Sequence, residues 1–419
     1  MKNLAIARQA ALGFAIITIL TTELAYSGEP PRDFLDKVSY NSPELVQEKA
    51  HDVYLERSEA VNRAKSMARL DANLVEEYVR VDTDSGFLSS AQIRVPILKK
   101  DHSGFFLKAS QLERESYAAF RKGSLADRLY RFRLAYYEVQ GISERLPDLL
   151  VKRRLLAELA ERQRGLLKER LKDSEELNRF YDGLTAVDEE IERSRVRLGT
   201  EMAIMRYLSD GINSNAPFIE TAGEPPPLDI VQDIERRKAD LIMSHPETVR
   251  LSFELDKQNI KSRIASMEGM PEISGVSAYA HDPRFSGNEN QLFGGIEAKW
   301  GLWDFGANRH EVEKEEALSR ELMVKLENTR DERLLTVDEA IRLYTASYKI
   351  WRNRKSYTAF RRRFLAGARR RFLNDEASWK DLALERIRYI NVKMASEEAR
   401  EGAFKNEANL IFALGRSSI

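Results

Sequence analysis

The chain lacks cysteine altogether. Disulfides, thiolate chemistry, cysteine-based zinc sites and lipidation of a mature N-terminal cysteine are therefore excluded. Catalytic signatures are missing as well. The five histidines, at 51, 102, 245, 281 and 310, are scattered and form no H-E-x-x-H. There is no G-x-x-x-x-G-K-S/T, no G-x-S-x-G and no G-x-G-x-x-G. Carboxylates are so numerous that no pair stands out for acid–base work. An enzyme is not expected, and neither a cofactor nor a metal is implied. Charge of one sign is not in excess either, since 67 Lys and Arg balance 67 Asp and Glu. A zero net charge exerts no global pull on nucleic acid or an anionic membrane.

Long apolar runs are also scarce, with one exception at the start. Lys2 and Arg8 precede the run Ala10 to Leu20, and Ala25 and Ser27 provide small residues for cleavage. This predicts a secretory signal peptide over residues 1–27. The alternative, an uncleaved anchor, wants ~20 apolar residues, and this run is shorter.

Proline is rare and unevenly placed, and none follows Pro283. Runs without proline, poor in glycine and rich in Ala, Leu, Glu and Arg favour long helices. Two are expected, from Gly104 to about Lys172 and from Ala307 to about Leu373. Each could reach ~100 Å at 1.5 Å per residue and would need neighbours along its whole length.

The halves resemble each other. Ser42-Pro43-Glu44-Leu45-Val46 recurs as His245-Pro246-Glu247-Thr248-Val249, and Ile93 to Leu98 recurs as Ala298 to Trp303. Asp173 pairs with Asp375, and Asp210-Gly211 with Leu414-Gly415. All four pairs keep one order and a spacing of roughly 200 residues, which argues for a tandem duplication. The expected organisation is a first repeat over 28–222, a Pro-rich linker over 223–228 and a second repeat over 229–419.

Within each repeat the period changes to two. Leu292, Ile296, Ala298, Trp300 and Leu302 fall on one face, with Glu297 and Lys299 on the other. In the first repeat Ala91, Ile93, Val95 and Ile97 alternate with Ser90, Gln92, Arg94 and Pro96. Such alternation predicts a β-hairpin at about 73–98 and another at about 272–303, giving four strands per chain. The alternative is two small soluble hairpins capped by helices. In each repeat one long helix would lie antiparallel to two stacked shorter ones.

At this point the residues resemble the TolC family of outer-membrane efflux proteins, over nearly the whole mature chain. The most specific part is His245-Pro246-Glu247 to Ala280, then Phe293 to Ala317, with the strand-to-helix turn Trp300-Gly301-Leu302-Trp303-Asp304-Phe305-Gly306. The closing Phe412-Ala413-Leu414-Gly415 also looks like the family's ending. The resemblance implies a mainly α fold with a small β part. Three chains would form a periplasmic α-barrel, with four strands each in a 12-stranded outer-membrane β-barrel. It implies a homotrimeric exit duct working with a periplasmic adaptor and an inner-membrane transporter, either ABC or proton-driven. The duct would serve tripartite efflux or type I secretion and sit in outer-membrane lipid. The alternative is a periplasmic coiled-coil adaptor or structural protein without a pore. Tyr78, Tyr279, Trp300 and Trp303 are candidates for the aromatic girdle of the barrel.

The family closes its periplasmic end with rings of Asp. The resemblance places the first of these on Asp381, whereas Leu384 stands where the second is expected and Asp375 replaces the turn glycine. Three converging carboxylates would repel one another and attract cations. A single apolar ring, at Leu384, could gate by dewetting instead, so Asp381 and Leu384 are both gate candidates; the plain alternative for Asp381 is a solvated helix residue. Upstream, Arg352 to Arg371 holds many basic residues and no acid, among them Arg361, Arg362, Arg363, Arg369, Arg370 and Arg371. This run is a docking surface for an acidic partner near the periplasmic tip, a lining that favours acidic cargo, or a solvated helix end whose cations suit the dipole.

Overall fold

The computed structural model describes residues 43–66, 71–81, 84–98, 103–168, 174–209, 223–268, 270, 272–281, 290–299 and 306–416, with Leu35 and Val38. The expected signal peptide, Trp300 and Trp303 lie outside the described residues. In chain order come α1 (Pro43–Ser66), β1 (Asp71–Val81), β2 (Asp84–Leu98), α2 (Ser103–Lys168) and α3 (Ser174–Leu208). There follow α4 (Asp229–Met243), α5 (Pro246–Glu268), β3 (Glu272–His281), β4 (Asn290–Lys299), α6 (Ala307–Leu373) and α7 (Trp379–Ala413).

The proline placement explains several helix starts. Pro43 and Pro246 each open a helix, where a missing N–H costs nothing. The two long helices run for 66 and 67 residues. Pro147 falls inside α2 and removes one backbone bond from its ladder. At the start of α6, Gly306 sits at φ 84°, a conformation that side chains disfavour.

The shorter helices line up along the long ones. Glu59 to Arg114 and Glu48 to Arg128 tie α1 to the first half of α2. Arg153 and Asp188 tie α3 to its second half. Likewise Gln258 on α5 reaches Glu315, and Glu385 on α7 reaches Arg361, both on α6. Because α2 also packs against α5 and α7, the helices form one layer. Its order is α1–α2–α5–α6 near the strands and α3–α2–α7–α6 at the far end.

This arrangement buries α2 on two sides and leaves α6 open on one. Leu129, Phe132 and Val139 of α2 meet Met205 and Leu208 of α3 and Phe404 of α7 in one cluster. Lower down, Leu149, Leu156 and Leu159 meet Val187, Ile191, Ala383 and Ile387. A third cluster joins α4, α6 and the end of α7.

Helix α4 is an addition to the sequence expectation. Its buried Val231, Ile234 and Leu241 form an apolar stripe against α6, and Lys238 bonds Asp338 at 2.6 Å. The preceding linker is pinned where the Tyr344 hydroxyl donates to the Pro226 carbonyl.

The four strands make one antiparallel sheet, β1–β2–β3–β4, following the order of the helices above. Its register places Leu74, Ala91, Tyr279 and Leu292 in one row across the sheet. The next row on that face holds Ala72, Ile93, Ser277 and Gly294. A register shift between Pro96 and Leu98 sits where proline has no N–H for the ladder. Among the described residues, nothing pairs with the outer edges of β1 and β4.

Candidate functional site

Three regions could carry function: the sheet, the turn between α6 and α7, and the seam where α2 meets α7.

On the sheet, Tyr279 and its row partner Leu292 are exposed, and Ile296 is 75% exposed. Leu292 and Ile296 share one face of β4, and an exposed apolar face is out of place in water and in place in lipid. Tyr78 pairs with Phe87 on the β1–β2 ladder, so register puts the aromatic candidates Tyr78 and Tyr279 on different strands.

The α6–α7 turn is built by local chemistry. Asp375 N–H donates to the Phe372 carbonyl and Glu376 N–H to the Arg371 carbonyl, which is the Schellman pattern. The pattern needs a left-handed residue, and Asp375 takes it at φ 58°. Glycine would do so without steric penalty. We expect Asp375→Gly to raise stability by about 1 kcal/mol, read as a higher denaturant midpoint. An unchanged or lower midpoint would show that Asp375 is favoured by its contacts rather than by conformation.

Asp381 lies three residues beyond Ser378 and forms a capping box with it. The Asp381 N–H donates to Ser378 Oγ at 3.2 Å, and the Ser378 N–H donates to Asp381 Oδ2 at 3.1 Å. The Ser378 hydroxyl and backbone hold the Asp381 carboxyl below the usual range. The sequence signal for this is Ser-x-x-Asp before a helix. Next to it, the Arg162 guanidinium lies 3.9 Å from the ring centroid of Trp379, and Lys380 pairs with Glu176 of α3. Leu384 packs against the lower apolar cluster.

The six arginines divide. Arg361 is held at 3.1 Å by Glu385 and is 17% exposed. Arg362 and Arg363 line a groove of about 490 Å³ between α6 and α7, with Lys355 and Tyr389. Arg369, Arg370 and Arg371 are exposed at the C-terminal end of α6, where cations suit the helix dipole.

The third region is not among the sequence candidates. Between the two apolar clusters, α2 and α7 meet through charges. Lys405 pairs with Glu138 and Arg400 with Glu144, while Arg145 reaches Glu401 at 2.5 Å and Lys393 reaches Asp148 at 2.6 Å. Gly141 makes room, because a Cβ there would overlap the Glu401 carboxylate. Burial pushes the Glu401 carboxyl up, and its two cations only partly oppose that. Burial also pushes Glu138 up, but the Lys405 hydrogen bond and charge reverse it and leave it low. The spacing of charges on each helix is visible in the sequence, but nothing local tells which helix answers it.

Among the described residues no helix is long and apolar enough to cross a membrane, and no cluster of three His, Cys, Asp or Glu is placed to hold a metal. Taken together, the described elements form one layer of paired long helices that ends in a four-stranded antiparallel sheet. Neither described protein families nor curated proteins give a match. Solved structures do. The outer-membrane protein VceC of Vibrio cholerae superposes with a TM-score of 0.72 at 12% identity, over 92% of this chain and 96% of that one. The Campylobacter jejuni outer-membrane channel CmeC gives 0.69 at 12% identity, over 95% and 90%. The open state of the Neisseria gonorrhoeae outer-membrane channel MtrE gives 0.68 at 12% identity, over 95% and 94%. The chain has the fold of the TolC-like outer-membrane channels.

Proposed function

We propose that the chain is one protomer of a trimeric exit duct in the outer membrane of a Gram-negative bacterium. It is made of two structural repeats and passes cargo passively. An adaptor in the periplasm and a transporter in the inner membrane supply cargo and energy, in tripartite efflux or type I secretion. One observation carries the reading: among the described residues, the sheet and the helix layer are both open at both edges, in matching order. An open strand edge in lipid leaves backbone groups unpaired, at several kcal/mol each. Four strands do not close a barrel, whereas twelve from three copies do. The exposed Leu292 and Ile296, on one face of β4, support a lipid-facing side. A single-hairpin adaptor without a pore would have no use for a second hairpin or for an outward apolar sheet, and that reading is not favoured.

The test is extraction from outer membranes followed by mass measurement and planar-bilayer conductance. A trimer that conducts is expected. A monomer released in soluble form, with no conductance, would sink the duct.

Within this reading Asp381 is the gate candidate, since its turn stands at the far end from the strands and Leu384 packs into the protomer's own cluster. Asp381→Ala is expected to weaken cation selectivity in single-channel recordings. Ser378→Ala, which removes the cap but keeps the carboxylate, should preserve it. Equal selectivity in all three proteins would leave Asp381 with capping alone.

A further inference from the structure

We propose that the cavity at the joint between α7 and α5 binds a small aromatic carboxylic acid in its anionic form. The site lies within one chain and needs no second copy.

Four helices meet around this cavity, which measures about 580 Å³. Phe120 and Ala126 of α2, Pro246 at the start of α5 and Phe412 near the end of α7 give it an apolar wall. Phe412 already stacks on Tyr130, with ring centroids 4.6 Å apart, so the plane of its ring is fixed. Arg333 of α6, Arg250 of α5 and His245 supply the polar side. A space of this size, with an apolar wall and a few converging polar groups, is the usual make-up of a small-molecule site. Gly123 of α2 also lines it, and a Cβ there would meet Pro246 Cβ at 3.5 Å, an ordinary contact. Alanine would therefore fit and would favour the helix, so glycine here leaves the space wider than packing demands.

His245 decides what the cavity takes. It is 7% exposed, and its Nδ1 accepts from the Glu247 N–H at 3.2 Å. In the neutral ring the proton therefore sits on Nε2. That edge of the ring faces Gly415, another lining residue, since a Cβ on Gly415 would stand 3.0 Å from Nε2. Among the described residues no acceptor takes this N–H. A buried donor without an acceptor is costly, and a ligand oxygen would satisfy it. Water would satisfy it too, but not the apolar wall.

The sign of the ligand follows from the other groups. Arg333 commits its Nε and one terminal nitrogen to a single oxygen of Glu247, and Arg250 commits one to Glu254 at 2.6 Å. Both guanidinium groups keep further N–H donors. Helix α5 adds the positive end of its dipole at the same place. The lining carboxylates are already paired, Glu247 with Arg333 and Asp127 with Arg131. A cation would face two guanidinium groups, and a phosphate dianion would face two carboxylates beside an apolar wall. A flat monoanion meets all the conditions, with its rings against Phe120 and Phe412 and its oxygens toward His245.

The probe is naphthoate, with naphthamide and naphthylmethylamine as its neutral and cationic counterparts. Equilibrium dialysis of the full chain in detergent reads bound probe, and partition into micelles is common to every variant. Saturable uptake of naphthoate, one molecule per chain, is expected, with both counterparts at least about tenfold weaker. Gly123→Leu fills the cavity from α2 and should abolish saturable uptake. Its denaturant midpoint without probe should match or exceed that of the wild type, because leucine favours the helix. His245→Phe keeps a ring but lacks the N–H, and should weaken naphthoate about tenfold, which gives a second reading should Gly123→Leu fail to fold. No saturable uptake by the wild type, or uptake unchanged in both variants, overturns the site. Equal affinity for naphthamide, or tighter binding of the amine, overturns the choice of an anion.

Discussion

Between pH 7 and pH 4 the wild-type protein is expected to lose about 3 kcal/mol relative to a His245→Gln variant. His245 precedes the first turn of α5 and is only 7% exposed. The Glu247 backbone N–H donates to its Nδ1 at 3.2 Å, so that nitrogen must stay unprotonated. Burial, then the nearby Arg333 charge, lowers its pKa to about 4, and Glu247 opposes this only in part. In the unfolded chain the imidazole takes a proton near pH ~6.5. The unfolded state therefore binds more protons than the folded state between those values, and stability falls as pH falls through that window. Below about pH 4 both states are protonated and the loss stops growing. A tenfold difference in proton affinity between the two states is worth about 1.4 kcal/mol, which sets the size of the loss. Arg333 and the more distant carboxylates are present in both proteins, so they cancel in the comparison, whereas Glu247 enters through its coupling to His245. Guanidinium midpoints in detergent across this range give the readout. Parallel curves for the two proteins would mean that His245 is hydrated or charged in the folded protein.

Most of the layer is legible in the sequence because its causes are local. Missing prolines, apolar spacing and Pro43 and Pro246 at helix starts all act within a few turns. The alternation at Leu292 to Ala298 is enough to expect a strand, and the sheet has one from Asn290 to Lys299. The capping box at Ser378 is equally local, although the resemblance draws attention to Asp381 for a different role. Helix α4 is harder to see because it follows a Pro-rich linker, yet Val231, Ile234 and Leu241 keep helical spacing. The charged section between α2 and α7 is different in kind. Glu138 and Lys405, or Glu144 and Arg400, are each an ordinary surface residue until the two helices are set side by side. No pattern in either helix selects the other. Once buried, such pairs contribute more to register than to net stability, since a slip of one residue strands several charges.

That same dependence on distant partners makes Gly415→Ala the most damaging single change we expect. Gly415 ends α7 in a left-handed conformation at φ 65°. Its N–H reaches the Phe412 carbonyl at 2.8 Å, and the Arg416 N–H reaches the Ile411 carbonyl at 3.2 Å, closing a Schellman turn. Alanine there incurs backbone strain of about 1–2 kcal/mol. Its Cβ would also lie inside 3.0 Å of Pro246 Cδ and 2.7 Å from His245 Cδ2. Both belong to the start of α5, whose ring and imidazole are fixed by the helix they open, so neither yields cheaply. Overpacking of this kind adds about 1–3 kcal/mol, for a total of about 3–4 kcal/mol. Gly402 provides the control: it lies within α7, and a Cβ there meets nothing within 4 Å. Gly402→Ala should stabilise by about 0.5–1 kcal/mol through helix propensity. Opposite signs for the two variants, measured as shifts in the denaturant midpoint, are the expected result. Equal, small effects would mean that the joint between the end of α7 and the start of α5 opens readily and does not hold the two helices together.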